Sequence, residues 1–129
     1  MGCPDCGAEL VAFAVPEPLR EFVPGTETAV ALCPDCLGLQ PATDPPADPA
    51  FGRVHRAFPT DPDAAVPMGL LLGLLDELAV YRSEIAALLE RVEQTGVDPL
   101  LVLSRLARDP DIDPGTDLDA RRYQLEQLL

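Results

Sequence analysis

Two short copies of one motif constrain this chain more than anything else in it: Cys3-Pro4-Asp5-Cys6-Gly7 and Cys33-Pro34-Asp35-Cys36, with twenty-six residues between Cys6 and Cys33. Together they hold all four cysteines. Two thiolates two residues apart on a tight turn can both point at one tetrahedral ion, and a second such turn completes a four-thiolate site. Proline after the first cysteine pre-sets the turn, and Gly7 supplies a left-handed conformation that turns the chain back toward the metal. The expected ligands are therefore Cys3, Cys6, Cys33 and Cys36, holding one zinc ion per chain. The second motif has Leu37 where the first has Gly7, with glycine delayed to Gly38, which predicts a shifted second turn that keeps its two ligands.

Dithiol switches and disulfides are the competing uses of paired cysteines, but no βαβ pattern of the thioredoxin type surrounds these pairs and nothing points to an oxidising compartment. Iron is the sharper rival, because rubredoxin-like electron carriers also use paired Cys-x-x-Cys turns. Such sites have a dense aromatic core, and the intervening segment offers only Phe13 and Phe22. Zinc is the better match for a closed all-cysteine centre in a small domain.

Around the cysteines, residues 8–15 and 27–32 are β-prone and read as strands, with Pro16, Pro18, Pro24 and Gly25 breaking the chain between them and Leu19 to Val23 forming a single turn. Turn, strand, returning strand and turn make a zinc ribbon over residues 1–41. Residues 42–66 are rich in proline and aspartate and read as an extended linker. Inside it, Asp48-Pro49 resembles a helix start, and Phe51, Val54, His55 and Phe58 fall on one face of a short amphipathic turn. His55, the one histidine, is superfluous beside four cysteines and reads as a packed or solvated imidazole.

Residues 67–129 are expected to be helical. Leu71, Leu74, Leu78, Tyr81, Ile85, Leu88 and Val92 alternate three and four apart, the seam of one long helix or two collinear ones, ended by Gly96. Asp98-Pro99 starts a helix running to about Arg108, with Leu100, Leu103 and Leu106 or Ala107 inward, and Asp109-Pro110 stops it. Thr116 or Asp117 caps a last helix reaching Leu129, with Leu118, Leu125, Leu128 and Leu129 as its apolar residues. Short links imply antiparallel neighbours. Gly69 and Gly73 lie in the apolar helix, where close packing is their expected role. The fold class is thus α+β: a small N-terminal four-cysteine zinc ribbon joined by a Pro-rich linker to an α-helical hairpin or bundle.

Leu70, Leu71, Leu74, Leu75 and Leu78 form a stripe wider than an antiparallel pair needs. The seam itself reads as packing against the two later helices inside one chain, but burying one leucine is worth about 1.5–3 kcal/mol, so the surplus predicts a homodimer or a protein partner through the helical region, with Glu77 and Arg82 flanking the seam. The net charge is −13, from 22 acidic residues against nine arginines and no lysine. A dense carboxylate surface keeps a protein soluble in a salt-rich cytosol and argues against a nucleic-acid partner, because no arginine-rich run is available to neutralise phosphates. No signal peptide is recognisable, the longest apolar run is too short to span a membrane, and a cytoplasmic location is expected.

No catalytic constellation can be read from the sequence. The carboxylates are scattered through turns and caps, with no histidine, serine or lysine arranged around them. Asp109, Asp111 and Asp113 alternate as calcium ligands do, but Pro110 and Pro114 interrupt them and the EF-hand glycine and glutamate spacing is missing. No phosphate-cradling glycine loop or dinucleotide fingerprint suggests a small-molecule substrate. The expected function is a non-enzymatic protein-interaction adaptor. A nucleic-acid-associated ribbon of the transcription or translation machinery and a rubredoxin-like carrier are the alternatives.

The order of features along the chain carries a resemblance. Cys3-Pro4-Asp5-Cys6-Gly7, the second Cys-Pro-Asp-Cys, Arg56-Ala57-Phe58-Pro59, the run Gly96-Val97-Asp98-Pro99-Leu100-Leu101-Val102-Leu103 and the closing Gln124-Leu125-Glu126-Gln127-Leu128-Leu129 are similar to a family of small proteins from halophilic archaea. The resemblance spans nearly the full chain. It implies a cytosolic haloarchaeal source and carries no assigned activity.

Overall fold

In the computed structural model, which describes residues 2–23, 27–114 and 117–128, a three-stranded antiparallel sheet lies beside four α-helices. Strands β1 (Val11–Ala14), β2 (Ala29–Leu32) and β3 (Leu39–Pro41) are arranged in that order, with Val11 opposite Leu32 and Leu32 opposite Leu39. All four residues of β2 are buried, as expected of a central strand covered on both faces. β1 and β2 lie within the stretches expected to be strands. β3 was not foreseen, because Leu39-Gln40-Pro41 is too short to show a period and ends in proline, which an edge strand tolerates. Between β1 and β2, Glu17–Phe22 forms a 3₁₀ turn that buries Leu19 and Phe22.

The proline-rich middle folds back onto the rest of the protein. Phe51, Val54 and Phe58 are all buried, and the Phe51 ring packs between those of Phe13 and Phe58, with centroid separations of 5.3 and 6.4 Å. The short 3₁₀ turn begins at Phe51 itself, preceded by Ala50 with no side-chain cap, so Asp48 does not start a helix.

Helix α1 (Pro62–Leu74) begins inside the stretch expected to be linker. Asp61 caps it by accepting from the Asp63 N–H at 3.0 Å, Pro62 occupies the first turn, and Pro67 lies within the helix. Its residues from Ala64 to Leu72 are buried on every side. The sheet approaches so closely that a Cβ on Gly69 would lie 3.0 Å from Cζ of Phe13, and one on Gly73 only 2.7 Å from Cδ2 of Leu39. Gly69 and Gly73 therefore set how near α1 can sit to β1 and β3.

The seam is not one long helix. After Leu74 the chain passes through a 3₁₀ turn at Leu75–Glu77, and α2 (Arg82–Gln94) packs back against α1. Pro62 and Asp63, at one end of α1, line a cleft together with Arg91, Gln94 and Thr95 at the far end of α2, so the two helices are antiparallel. Gly96 then takes a positive φ of 92°, ending the hairpin. Helix α3 (Pro99–Arg108) is capped by Asp98, which accepts from the N–H groups of Leu100 and Leu101, and it buries Val102, Leu103 and Leu106. Leu100 and Ala107 are only partly buried, and Val102 takes the inward place expected of Leu100. Helix α4 (Leu118–Leu128) is capped by Asp117 through the Ala120 N–H at 3.1 Å and buries Leu118 and Leu125. Thr116, Leu129 and the side chain of Leu128 lie outside the described residues.

This packing overturns the argument for a surplus apolar stripe. Leu70, Leu71 and Leu75 have no exposed surface, and Leu74 and Leu78 almost none. One buried cluster joins Phe13 of the sheet, Phe51 of the middle segment, the α1–α2 hairpin and Leu125 of α4. The stripe is the shared core of the chain, and its width reflects a helix covered by sheet and helices at once.

Candidate metal centre

The two cysteine turns are built on one plan, offset by thirty residues. Cys3 N–H donates to the Ala8 carbonyl at 2.8 Å and Gly7 N–H to the Cys3 carbonyl at 2.8 Å; Cys33 N–H donates to the Gly38 carbonyl and Leu37 N–H to the Cys33 carbonyl, both at 2.9 Å. Each turn closes a hairpin: Gly2 bridges Glu9 in the first, and Leu32 pairs with Leu39 in the second. The second turn is not shifted by the missing glycine. Leu37 itself adopts φ of 60°, close to the 76° of Gly7, a left-handed conformation that costs a residue with a Cβ about 1–2 kcal/mol. Leu37 is held there because its side chain is buried in the main core. The delayed Gly38 has its own role, since a Cβ there would come within 3.3 Å of Cys36 Sγ.

These paired turns bring Cys3, Cys6, Cys33 and Cys36 together, as their spacing led us to expect. Their four sulfurs all lie within 4.8 Å of one another, and Cys3 Sγ is 3.8 Å from Cys36 Sγ. Metal–thiolate bonds of about 2.3 Å in a tetrahedron place sulfurs about 3.8 Å apart, so the cluster is of the right size to hold a metal ion. The four cysteines are free thiols with no disulfide between them. Cys3 and Cys33 are buried, Cys36 is half-buried and Cys6 faces solvent. Leu10 and Ala31 form an aliphatic floor, with Ala8, Ala12 and Ala42 packed around it.

Backbone amides tune these sulfurs unequally. The N–H groups of Cys6 and Asp5, aimed at Cys3, hold its thiol below the usual cysteine range. Cys36 N–H donates to Cys33 Sγ at 3.5 Å. Cys6 is pushed up to about 12, first by its hydrogen bond with the Cys36 sulfur and then by the partial desolvation of its sulfur among the neighbouring thiols, although the residue as a whole faces solvent. Burial also raises Cys36, partly offset by the Gly38 N–H. Crowded sulfurs thus resist becoming anions together, and a cation between them would remove that resistance by compensating the thiolate charges.

Among the described residues, the four cysteines are the one group of three or more ligand side chains gathered closely enough for a metal. Asp109, Asp111 and Asp113 do not converge. Asp109 Oδ1 accepts from the Asp111 N–H at 2.9 Å, and Asp113 N–H donates to the Asp35 carbonyl at 2.8 Å, so this loop ties the end of α3 to the second cysteine turn. His55 stands outside the cluster. Its Nδ1 accepts from the Ala57 N–H at 2.9 Å, which leaves Nε2 to carry the hydrogen and donate to Asp109 Oδ2 at 2.8 Å. Two features escaped the sequence reading: the loop bond to Asp35, and a groove where Arg56 meets Arg105 and Arg108. Only the i, i+3 spacing of Arg105 and Arg108 hinted at the latter.

Fold and site together describe a small α+β protein with a four-cysteine cluster able to hold a metal ion. The chain belongs to a family of unknown function, DUF6276, whose match covers residues 2–129. No curated protein and no solved structure matches it. No helix among the described residues is long and apolar enough to cross a membrane.

Proposed function

We propose that Cys3, Cys6, Cys33 and Cys36 bind one structural zinc ion, making residues 1–41 a zinc ribbon, and that the chain is a non-enzymatic adaptor holding a protein partner in the cytoplasm of a halophilic archaeon. The observation that carries this reading is the convergence of four sulfurs within 4.8 Å of one another from two matched turns. Four protein thiolates fill a zinc coordination shell and leave no open position for substrate, which favours a structural over a catalytic ion. The aliphatic floor of Leu10, Ala31 and the surrounding alanines favours zinc over a rubredoxin-like iron centre. The excess of 22 acidic over nine basic residues supports a salt-rich cytosol.

The partner surface lies in the helical half, at the edge of the leucine stripe where Leu78 meets α4. Val80 and Tyr123 are exposed at 70% and 63%, and Leu78, Ala79 and Tyr123 line a groove of about 330 Å³ between the α1–α2 link and α4. The occupant is read as a different protein that inserts an apolar side chain between Leu78, Ala79 and Tyr123, with a second copy of this chain as the alternative.

Elemental analysis of the protein purified in high salt tests the metal: about one zinc per chain and no visible chromophore are expected. A red iron chromophore, or native protein without metal, would overturn the reading. For the partner, Tyr123→Ala should abolish capture of a defined protein by the wild-type chain while both remain monomeric in sedimentation. Self-association lost in the variant would instead make the groove a dimer contact.

A further inference from the structure

Three of the nine arginines converge on one groove of about 470 Å³, formed by His55, Arg56 and Ala57 from the middle segment and Arg105, Arg108, Asp109 and Pro110 from the end of α3. The convergence runs against the composition. With 22 carboxylates against nine arginines, a surface concavity on this chain is expected to be acidic, whereas this one gathers three guanidinium groups around a single carboxylate. Arg105 and Arg108 have no carboxylate within ion-pair distance among the described residues, and Arg56 acts on Asp109 only through its longer-range field. All three are exposed.

The one carboxylate in the groove is already engaged. Asp109 takes the Nε2–H of His55 on one oxygen and the Asp111 N–H on the other. His55 is itself fixed by Ala57, with its side chain only 8% exposed. This arrangement braces the loop carrying Arg56 against the last turn of α3, so that guanidinium groups from two elements line one concavity. Counting Asp109 as −1 and the three arginines as +3, the groove carries a net charge of about +2 in a chain of −13.

We propose that this groove is a binding site for a small phosphate-bearing anion, held by Arg56, Arg105 and Arg108. Guanidinium forks match tetrahedral oxyanions bidentately and keep their charge at any working pH. Directional bonds of this kind survive the salt that screens diffuse attraction. The lining has no Phe, Tyr or Trp, and the one ring present, the His55 imidazole, is 8% exposed and bonded through both nitrogens, so the anionic group itself is what is recognised. The surrounding carboxylates disfavour an extended polyanion, which commits the site to a compact ligand rather than a nucleic-acid backbone.

Inorganic pyrophosphate is the probe. It is titrated into the full-length native protein at constant ionic strength, while the nine arginine Nε–H signals and the backbone amides are followed by NMR. Saturable shifts confined to Arg56, Arg105, Arg108 and residues 55–57 and 105–110 are expected, with chloride or perchlorate at equal ionic strength giving no saturation. Arg105→Gln combined with Arg108→Gln should weaken binding at least tenfold, whereas Arg91→Gln, on α2, should leave it unchanged. Both residues of the double variant are exposed, and an unchanged thermal midpoint would show that the fold is retained. Uniform, unsaturable shifts across all nine arginines would overturn the proposal, as would binding indifferent to the double substitution. A single-stranded oligonucleotide that bound far more tightly than pyrophosphate would replace the small ligand with nucleic acid.

Discussion

Between Cys3 and Ala8 the chain closes its turn in solvent, with Pro4, Asp5, Cys6 and Gly7 all exposed, whereas between Cys33 and Gly38 the same turn is pressed onto the helices by a buried Leu37. The hydrogen bonds are matched pair for pair. What differs is who supplies the unusual backbone conformation. The free turn uses glycine, for which a positive φ carries no steric penalty; the docked turn uses leucine and offsets the strain with core burial. One motif can thus be both a metal knuckle and a packing element, provided that one residue is exchanged.

The largest test of this contrast is to remove a ligand from each side. Cys6→Ser and Cys33→Ser should each abolish metal binding, whose apparent free energy at structural sites is on the order of 10 kcal/mol. They should differ in reach. Loss of Cys33 should also expose the Asp113 amide, which bonds to Asp35 in the docked turn, while loss of Cys6 should leave that amide protected in hydrogen exchange.

A smaller effect comes from exchanging the conformational roles. Leu37→Gly should relieve about 1–2 kcal/mol of left-handed strain but forfeit about 1.5–3 kcal/mol of burial, for a net loss near 1 kcal/mol. Gly7→Leu should cost about 1–2 kcal/mol from strain alone, because a Cβ at position 7 meets nothing within 4 Å to repay it. Denaturant midpoints of the two variants would measure both. A stabilised Leu37→Gly protein would show that the docking of Leu37 contributes less than its strain costs.

The smallest effect concerns the loop that ties α3 to the docked turn. The Asp111 N–H, and after it His55, hold the Asp109 carboxyl below its ordinary range. A folded value below the unfolded one means that the carboxylate stabilises this loop at any pH above about 4 and that the contribution disappears as pH falls through the depressed value. Acid should therefore loosen the Asp111 amide before the β1–β2 amides. Equal sensitivity in both places would detach the loop from this titration.

The cysteine cluster was legible in the sequence because its chemistry is local: residue type and spacing define each pair of sulfurs before any tertiary contact exists. The helix caps at Asp61, Asp98 and Asp117 are local too, although only the last two were foreseen. The hairpin was hidden because Leu74, Leu78, Tyr81 and Ile85 keep helical spacing straight through the reversal, and residues 75–81 contain neither glycine nor proline. Spacing and short loops pointed to internal packing of the seam, but not to the full width of the stripe being consumed there. That depended on α1 being surrounded, which Gly69 and Gly73 permit only once Phe13 and Leu39 are known to lie over them.

The enclosure of α1 also bears on the order of events during synthesis. The chain grows from its N-terminus, so the sheet and α1 leave the ribosome before α2, α3 and α4 exist to cover the helix. Until α2 follows and packs back against α1, a run such as Leu70-Leu71-Leu72 has the sheet on one side and water on the other. The nascent chain is therefore most adhesive between the completion of α1 and the arrival of α2, when its most apolar helix has only one neighbour.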